Sequence, residues 1–231
     1  MIYLFHGDDH YQSRQGLFNA LKKYQNVDPL SDEEIKPELI INFTGKLFSS
    51  KNRALVLNRL FSLSPTRLKK IISLIRKLSQ QNIDVFIWEE KKLKKEQISS
   101  LGNNTKVYLF KLPPHLFKFL DTIGDKRNLC LGFLSQLLKS HPPQLILYLA
   151  ERRLRELLLA KMNPQLLKLT SWQKTKLATQ AKNLKLEEIK EMYLKLVEID
   201  WKNKTGQLGN SLENELILLI AQNEINQRSN Q

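Results

Sequence analysis

The sequence predicts an α/β domain built on a parallel sheet, followed by an all-α domain. Short apolar runs alternate with helical patterns through the first 110 residues, which is typical of βαβ units. These runs are continuously apolar rather than alternating, as expected for strands that are covered on both faces. After Pro113 and Pro114 no strand pattern returns, and helical periodicity continues towards the C-terminus.

The first strand is predicted at residues 2–5 and is followed by the turn His6-Gly7-Asp8-Asp9. Asp8 or Asp9 is expected to cap the next helix, because a carboxylate accepts hydrogen bonds from the free amides at a helix start. Residues 25–37 are interpreted as a polar loop, and residues 38–43 favour neither helix nor strand. Three further strands are predicted at residues 53–58, 83–88 and 107–110. A basic amphipathic helix is predicted at residues 68–78.

Prolines divide the remainder of the chain. Pro113-Pro114 and Pro142-Pro143 interrupt the helical patterns, because proline lacks an amide hydrogen and restricts the residue before it. Helices are expected between these two breaks and after the second. The predicted domains are an α/β domain at residues 1–112, a short helical connector at residues 113–142 and a C-terminal helical domain at residues 143–231.

Three helices are predicted between residues 171 and 220. Ser171 is expected to cap the first of them, with Trp172 on its apolar side. Gly206 or Gly209 is expected to end the second, because glycine adopts the left-handed conformation that terminates helices. The third helix has an apolar face formed by Leu212, Leu216, Leu219 and Ile220.

The composition indicates a basic protein with a packed core. Hydrophobic residues make up 42% of the chain, and the 37 lysines and arginines exceed the 23 acids, giving a net charge of +14. The excess favours a polyanionic partner such as nucleic acid. Residues 1–110 contain 18 basic and 11 acidic groups and residues 111–231 contain 19 and 12, so each part carries +7.

Other features exclude several classes of protein. The single cysteine, Cys130, excludes an intramolecular disulfide framework and a cysteine-rich zinc site. No apolar run is long enough for a membrane-spanning helix, and the N-terminus carries no basic leader, so a cytoplasmic protein without membrane contact is expected.

The sequence predicts no ATPase activity and no cofactor. The phosphate-loop signature G-x-x-x-x-G-K-[ST] is missing, and Gly45-Lys46 is followed by leucine. Glu89-Glu90 is the nearest candidate for a magnesium site, but no metal site is predicted. His6, Asp8, Asp9 and His10 lie within one turn, where capping explains the aspartates better than metal binding.

Several ordered motifs resemble the delta subunit of bacterial DNA polymerase III, the clamp-opening subunit of the replicative clamp loader. The resemblance covers most of the chain, and the interval at residues 113–142 is shorter than the middle domain of that family. It implies a short, divergent member with an AAA+-like domain that lacks a phosphate loop, followed by a helical collar. The motifs are I-Y-L-F-H-G-D-D-H-Y at residues 2–11, K-L-F-S-S-K-N-R-A-L-V-L at 46–57, His141-Pro142 with Leu154, Arg155 and Leu157 to Leu159, W-Q-x-x-K-L-x-x-Q-A-K-N-L at 172–184, Y-x-K-L-x-x-x-D at 193–200, K-T-G at 204–206 and L-E-x-E-L at 212–216.

The resemblance also implies partners and a site. Leu47 and Phe48 match the hydrophobic wedge that inserts into the sliding clamp, although both could instead pack into their own core. Other loader subunits, of the ATPase gamma/tau type and the delta-prime type, and primer–template DNA are the further partners implied. Cations of the helical half are the candidates for contacts to DNA phosphates, with a solvated helix face as the alternative for each: Arg152, Arg153, Arg155, Lys174 and Lys176.

Two other hypotheses compete with a clamp-loader subunit. One is a basic nucleic-acid-binding scaffold that makes no contact with a clamp, and the other is a nucleotide-binding enzyme with a non-standard loop at Gly7. No catalytic site of its own is predicted for the chain. As a delta-type subunit it would nevertheless belong to a DNA-directed DNA polymerase, and therefore nucleotidyltransferase, holoenzyme.

Overall fold

The chain forms two units that divide between Leu112 and Pro113. The structure is a computed structural model and describes residues 1–47, 53–81, 83–124 and 129–229. The first unit, Met1–Leu112, contains the sheet, and the second unit, Pro113–Gln231, is built from helices. Residues 113–142, which the sequence analysis sets apart as a connector, fall within the second unit.

Five parallel strands form the sheet of the first unit, in the spatial order β2-β3-β4-β1-β5. β1 pairs with β4 on one edge and with β5 on the other, so it is an internal strand of the sheet. The strands are β1 (Ile2–Gly7), β2 (Asn26–Leu30), β3 (Arg53–Asn58), β4 (Val85–Glu89) and β5 (Thr105–Phe110).

Helices cover both faces of this sheet. Side chains of α1 pack with Val56 and Phe86 on one face, whereas α2, α3 and α4 pack with Leu57 and Ile87 on the other. This distribution explains the continuous apolar runs, because successive residues of a buried strand point into different helix layers. The helices are α1 (His10–Leu21), α2 (Pro37–Leu47), α3 (Pro65–Gln80) and α4 (Lys95–Ser100), with a short 3₁₀ helix at Leu60–Ser62.

The predicted strands at residues 53–58, 83–88 and 107–110 correspond to β3, β4 and β5, but the interpretation of residues 25–37 was wrong. The supposed polar loop at residues 25–37 contains β2, and the ambiguous residues 38–43 belong to α2. β2 has the sequence N-V-D-P-L and lies at the edge of the sheet, where proline and polar residues are tolerated. Asp28 of β2 accepts a hydrogen bond of 2.6 Å from Nη2 of Arg53, which ties this weak strand to β3.

Within the described residues the second unit contains helices and no strand. α5 and α6 pack against each other and against α7, and α8 and α9 also pack against α7. α10 contacts α6, α7 and α9, so the long helix α7 is central to this unit. The bounds are α5 (Pro114–Thr122), α6 (Leu129–Leu138), α7 (Pro143–Met162), α8 (Ser171–Lys182), α9 (Leu186–Lys204) and α10 (Leu212–Ser229).

The start of α8 differs from its prediction. Thr170, not Ser171, is the capping residue, and it forms a reciprocal capping box with Gln173. Trp172 is 71% exposed rather than packed on the apolar side, which is formed by Leu177 and Ala181.

The end of α9 and the apolar face of α10 agree with the predictions from the sequence. Gly206 has a φ of 70°, so it supplies the left-handed residue expected after α9. Ser211 Oγ accepts a hydrogen bond from the amide of Asn214 at the start of α10. The predicted apolar face of α10 is buried, at Leu212, Leu216, Leu219 and Ile220.

The end of β1 requires glycine for two independent reasons. Gly7 has a φ of 138°, and a Cβ atom on it would lie 1.9 Å from the carbonyl oxygen of Phe110. We expect Gly7→Ala to lower the free energy of unfolding by about 3 kcal/mol or more, because β5 would have to move away from β1. Urea denaturation followed by circular dichroism measures this loss.

Gly132→Ala is the matched control. Gly132 lies within α6, and a Cβ atom there would meet nothing within 4 Å. This substitution should stabilise the protein by up to about 1 kcal/mol, because alanine favours the helix. Equal effects of the two substitutions would contradict the close approach at Gly7.

Candidate functional site

The carboxyl ends of β1 and β4 are where a sheet of this kind is expected to bind a ligand. The connection after β1 leaves on the face covered by α1, and the connection after β4 leaves on the opposite face. Open α/β sheets bind ligands in the crevice at such a switch point. The side chains at these strand ends therefore decide whether this unit has a small-molecule site.

The turn between β1 and α1 is short and is held by the chain itself. Only Asp8 and Asp9 separate the two elements, and the amide of Asp9 donates to the carbonyl of Phe110 at 3.3 Å. Asp9 Oδ1 accepts from the amide of Gln12 at 3.0 Å, so the predicted cap of α1 is present. A phosphate loop instead aims several free amides at its ligand, and residues 7–12 do not form one.

Aromatic and basic side chains of α1 and β4 occupy the same edge. The guanidinium carbon of Arg14 lies 3.4 Å from the centre of the Trp88 ring, and Nη1 of Arg14 donates to Oδ1 of Asn58 at 2.9 Å. Trp88 Nε1 donates to Ser13 Oγ, and His10 Nε2 lies 2.6 Å from the carbonyl oxygen of Glu90. These contacts connect α1 to the ends of β3 and β4, so the polar groups of these side chains are engaged by the protein itself.

The acidic pair considered as a magnesium site has other partners. Glu89 is only 6% exposed, and its Oε1 accepts a hydrogen bond of 2.9 Å from the amide of Phe61 in the 3₁₀ helix. Burial raises the pKa of the Glu89 carboxyl to about 7. Oε2 of Glu90 lies 3.9 Å from Nε of Arg59. In the part of the chain that the structure describes, no group of three or more histidine, cysteine, aspartate or glutamate side chains is arranged to hold a metal ion.

His6 on the neighbouring strand is buried and accepts a hydrogen bond at Nδ1 from the amide of Leu93, at 3.0 Å. Burial, with a smaller contribution from Lys92, lowers the pKa of His6, so the ring is neutral. Nδ1 acts as the acceptor, which places the proton on Nε2. The geometry of His6 is that of a histidine that holds the loop after β4.

The five cations of the helical half differ in their surroundings. Arg153 is 14% exposed, its Nη1 lies 3.5 Å from Oδ1 of Asp121, and it donates to Oε1 of Gln180 at 3.1 Å. Burial lowers the pKa of the Arg153 guanidinium. Lys176 shares the same Asp121 carboxylate. Arg153 therefore joins α7 to α5 and α8, and its charge is balanced inside the unit.

Of the other three cations, Arg152 and Arg155 are exposed and Lys174 is half-buried. Arg152 forms an ion pair of 2.9 Å with Glu156, one helical turn away. Arg155 and Lys174 have no ion-pair partner among the described residues, so they offer the most available charge of the five. DNA contact by these residues remains a prediction.

The predicted clamp-binding pair begins with the last residue of α2. Leu47 is the last residue of that helix, and its side chain and the whole of Phe48 lie outside the described residues. Upstream on the same helix, Ile40 and Phe43 are buried in the core, whereas Ile41 is 54% exposed.

The basic surface of α3 was not among the sites predicted from the sequence. α3 carries five cations, for which the sequence predicted only a basic amphipathic helix: Arg67, Lys69, Lys70, Arg76 and Lys77. The available signal was the lack of any acid between Glu38 and Asp84.

Comparisons with known proteins give structural likeness only. No protein-family model matches the chain, and no curated protein matches it. The chain is similar to the DNA clamp loader delta protein of Bacillus subtilis, with 14% sequence identity, coverage of 96% of this chain and 95% of that chain, and a TM-score of 0.43. It is also similar to a DNA polymerase III gamma subunit-related protein of Thermotoga maritima, with 12% identity, coverage of 97% and 94%, and a TM-score of 0.35.

A third similar structure contains Drosophila ORC bound to poly(dA/dT) DNA and Cdc6, with 11% identity, coverage of 96% and 66%, and a TM-score of 0.32. All three TM-scores are below 0.5, so conclusions about function rest on the residues of this chain. The fold class is the predicted one, a parallel α/β domain followed by a helical domain. Among the described helices, none combines the length and the apolar character that crossing a bilayer requires.

The buried carboxyl of Glu89 makes stability depend on pH. Its pKa in the folded state, about 7, is above the ordinary value of 4.5, so protonated Glu89 stabilises the fold at low pH and this contribution is lost as the pH rises through 7. Glu89→Gln keeps an acceptor for the amide of Phe61. We expect it to raise the free energy of unfolding by up to about 3 kcal/mol at pH 8 and to change it little below pH 5.

Denaturant unfolding from pH 4.5 to pH 8 measures this difference. Glu96→Gln removes an exposed carboxylate of α4 and should leave the pH profile parallel to that of the wild type. A Glu89→Gln profile that is also parallel would contradict the assigned pKa.

Arg153 and Arg152 are neighbours on α7, but Arg153 is largely buried between helices and Arg152 is exposed. Arg153→Ala should lower the free energy of unfolding by about 2 to 3 kcal/mol, because it removes the donor to Gln180 Oε1 and leaves the Asp121 carboxylate with Lys176 as its remaining cationic partner. Arg152→Ala, which breaks an exposed pair on the same helix, should cost less than about 1 kcal/mol. Thermal and urea unfolding compare the two; equal costs would exclude a role for Arg153 in joining the helices.

Proposed function

We propose that this chain is a delta-type subunit of a bacterial DNA polymerase III clamp loader, which binds and opens the sliding clamp for loading onto primed DNA. The observation that carries the proposal is the order of the motifs along the chain, from residues 2–11 through 46–57 to the helices after residue 171. The fold supports it, because an α/β unit without a phosphate loop precedes a helical unit.

The end of α2 is the proposed contact to the clamp. Leu47 is the last residue of α2, and Phe48 follows it in the sequence. A neighbouring aliphatic and aromatic pair can act as a compact apolar anchor. Anchors of this kind contribute most of the binding energy of a protein interface when they fill a pocket on the partner.

Clamp opening in this proposal requires no bond-making chemistry by this chain. The subunit binds the open ring more tightly than the closed ring, and the difference in affinity shifts the population towards the open form. ATP is hydrolysed by sister subunits of the gamma/tau type, and polymerisation takes place elsewhere in the holoenzyme, in the cytoplasm.

The helical unit is proposed to form a collar with the other loader subunits, including a delta-prime type. α9 exposes Leu194, Val197 and Trp201, which are three and four residues apart and therefore share one helix face. An exposed apolar face of this kind is typical of a protein interface. Arg155 and Lys174 are the cations of this unit best placed to contact primer–template DNA.

Binding to the sliding clamp of the same organism tests the proposal. The wild-type chain should bind the clamp at micromolar or tighter affinity, and Leu47→Ala/Phe48→Ala should lose about 2 kcal/mol or more, because the apolar anchor is removed. Surface plasmon resonance with immobilised clamp and without DNA gives both values.

Leu39→Ala is the matched control, because Leu39 is another exposed apolar residue of α2. It should leave the affinity within about 0.5 kcal/mol of the wild type. Binding that survives the double substitution would move the contact away from Leu47 and Phe48. An absence of clamp binding, together with salt-sensitive binding to DNA, would favour the basic scaffold instead.

A further inference from the structure

A groove with positive charge lies between α3 and the end of α4. Its volume is about 490 Å³. The polar lining consists of Lys69, Ser73, Arg76, Lys77, Gln80 and Ser100. These residues define the basic groove.

No ion pair between described residues balances the charge of the basic groove. Residues 39–83 contain nine lysines and arginines and no acid. α3 alone contributes five of these cations, and none of the five forms an ion pair with another described residue. By contrast, lysines of α9 pair with acids one turn away, at Glu191–Lys195, Glu198–Lys202 and Asp200–Lys204.

The fold does not need the cations of α3. Ile71, Ile75 and Leu78 bury the opposite side of the helix against the sheet, and the cations point away from this core. Arg76 lies beside the turn after α4, where a Cβ atom on Gly102 would be 3.3 Å from Arg76 Nε. Unpaired like charges on one helix face repel each other, and a polyanionic ligand would relieve this repulsion.

We propose that the basic groove binds the phosphodiester backbone of duplex DNA. Lys69 and Arg76 are seven residues apart, which is about 10 Å along the helix, so the cations form a row that matches a line of phosphates rather than a single anion. Ser73, Gln80 and Ser100 add uncharged donors of the kind that contact phosphate oxygens. None of the groove's side chains is aromatic, so bases cannot stack there, which favours a duplex over a single strand.

The inference goes beyond clamp binding and does not depend on it. It adds a second, sequence-independent contact to DNA on the first unit, distinct from Arg155 and Lys174 of the helical unit. Phosphate contacts of this kind release counterions, so the affinity depends steeply on salt concentration.

Fluorescence anisotropy of the full chain with a labelled duplex of about 30 base pairs, at about 50 to 300 mM salt, tests the proposal. Lys69→Gln/Arg76→Gln/Lys77→Gln should weaken binding at least about tenfold and lower the slope of log affinity against log salt by about 2 to 3. Lys22→Gln/Lys91→Gln/Lys111→Gln removes the same charge from exposed positions of the first unit outside the groove. It should leave the slope unchanged.

A charge-retaining variant, Lys69→Arg/Arg76→Lys/Lys77→Arg, guards against effects on folding and should keep the wild-type slope. An unchanged slope in the glutamine groove variant, or equal losses in both glutamine variants, would overturn the proposal. Poly-glutamate that competes as well as DNA at equal charge would also overturn it, because the groove would then take an acidic protein. Clamp binding measured without DNA should be unaffected, which separates this test from that of the Leu47-Phe48 contact.

Discussion

The pairing of β1 with both β4 and β5 is the constraint on which the first unit depends. β1 is hydrogen-bonded on both edges, and its side chains are buried on both faces because α1 covers one face of the sheet and α2 to α4 cover the other. The connections after β1 and β4 must then leave on opposite sides. At this point the chain turns so closely against β5 that only Gly7 fits beside Phe110.

The polar side chains at these strand ends contact other parts of the same unit. Asp9 caps α1, Arg14 stacks on Trp88, and Glu89 accepts from the amide of Phe61. In an enzyme built on such a sheet, groups at this edge would face a ligand. Here they join α1 and the 3₁₀ helix to the strands, so the proposed functions lie on outer surfaces instead: the end of α2, the basic groove and the exposed face of α9.

Local sequence patterns predicted most of the elements but little of the candidate site. β3 and β4 were found because continuous apolar runs are a local signal, whereas β2 was missed because its polar sequence is stable only through pairing with β3. Trp172 was assigned to the wrong side of α8 because a large apolar residue is also common on exposed binding surfaces. The contacts of Glu89 with Phe61 and of Arg153 with Gln180 span 28 and 27 residues, and no local pattern indicates such pairs.

The equal charge of the two parts of the sequence conceals an uneven distribution of charge within the first part. At the chain's average of 23 acids in 231 residues, the 45 residues from 39 to 83 would contain four to five acids, yet they contain none. In α9, acids and lysines alternate one turn apart and neutralise each other, which stabilises an exposed helix. A nucleic acid exchanges counterions only with cations that are not already paired. α3 thus carries a cluster of five cations without an acid partner among the described residues, which the even division of the +14 charge between the two parts does not reveal.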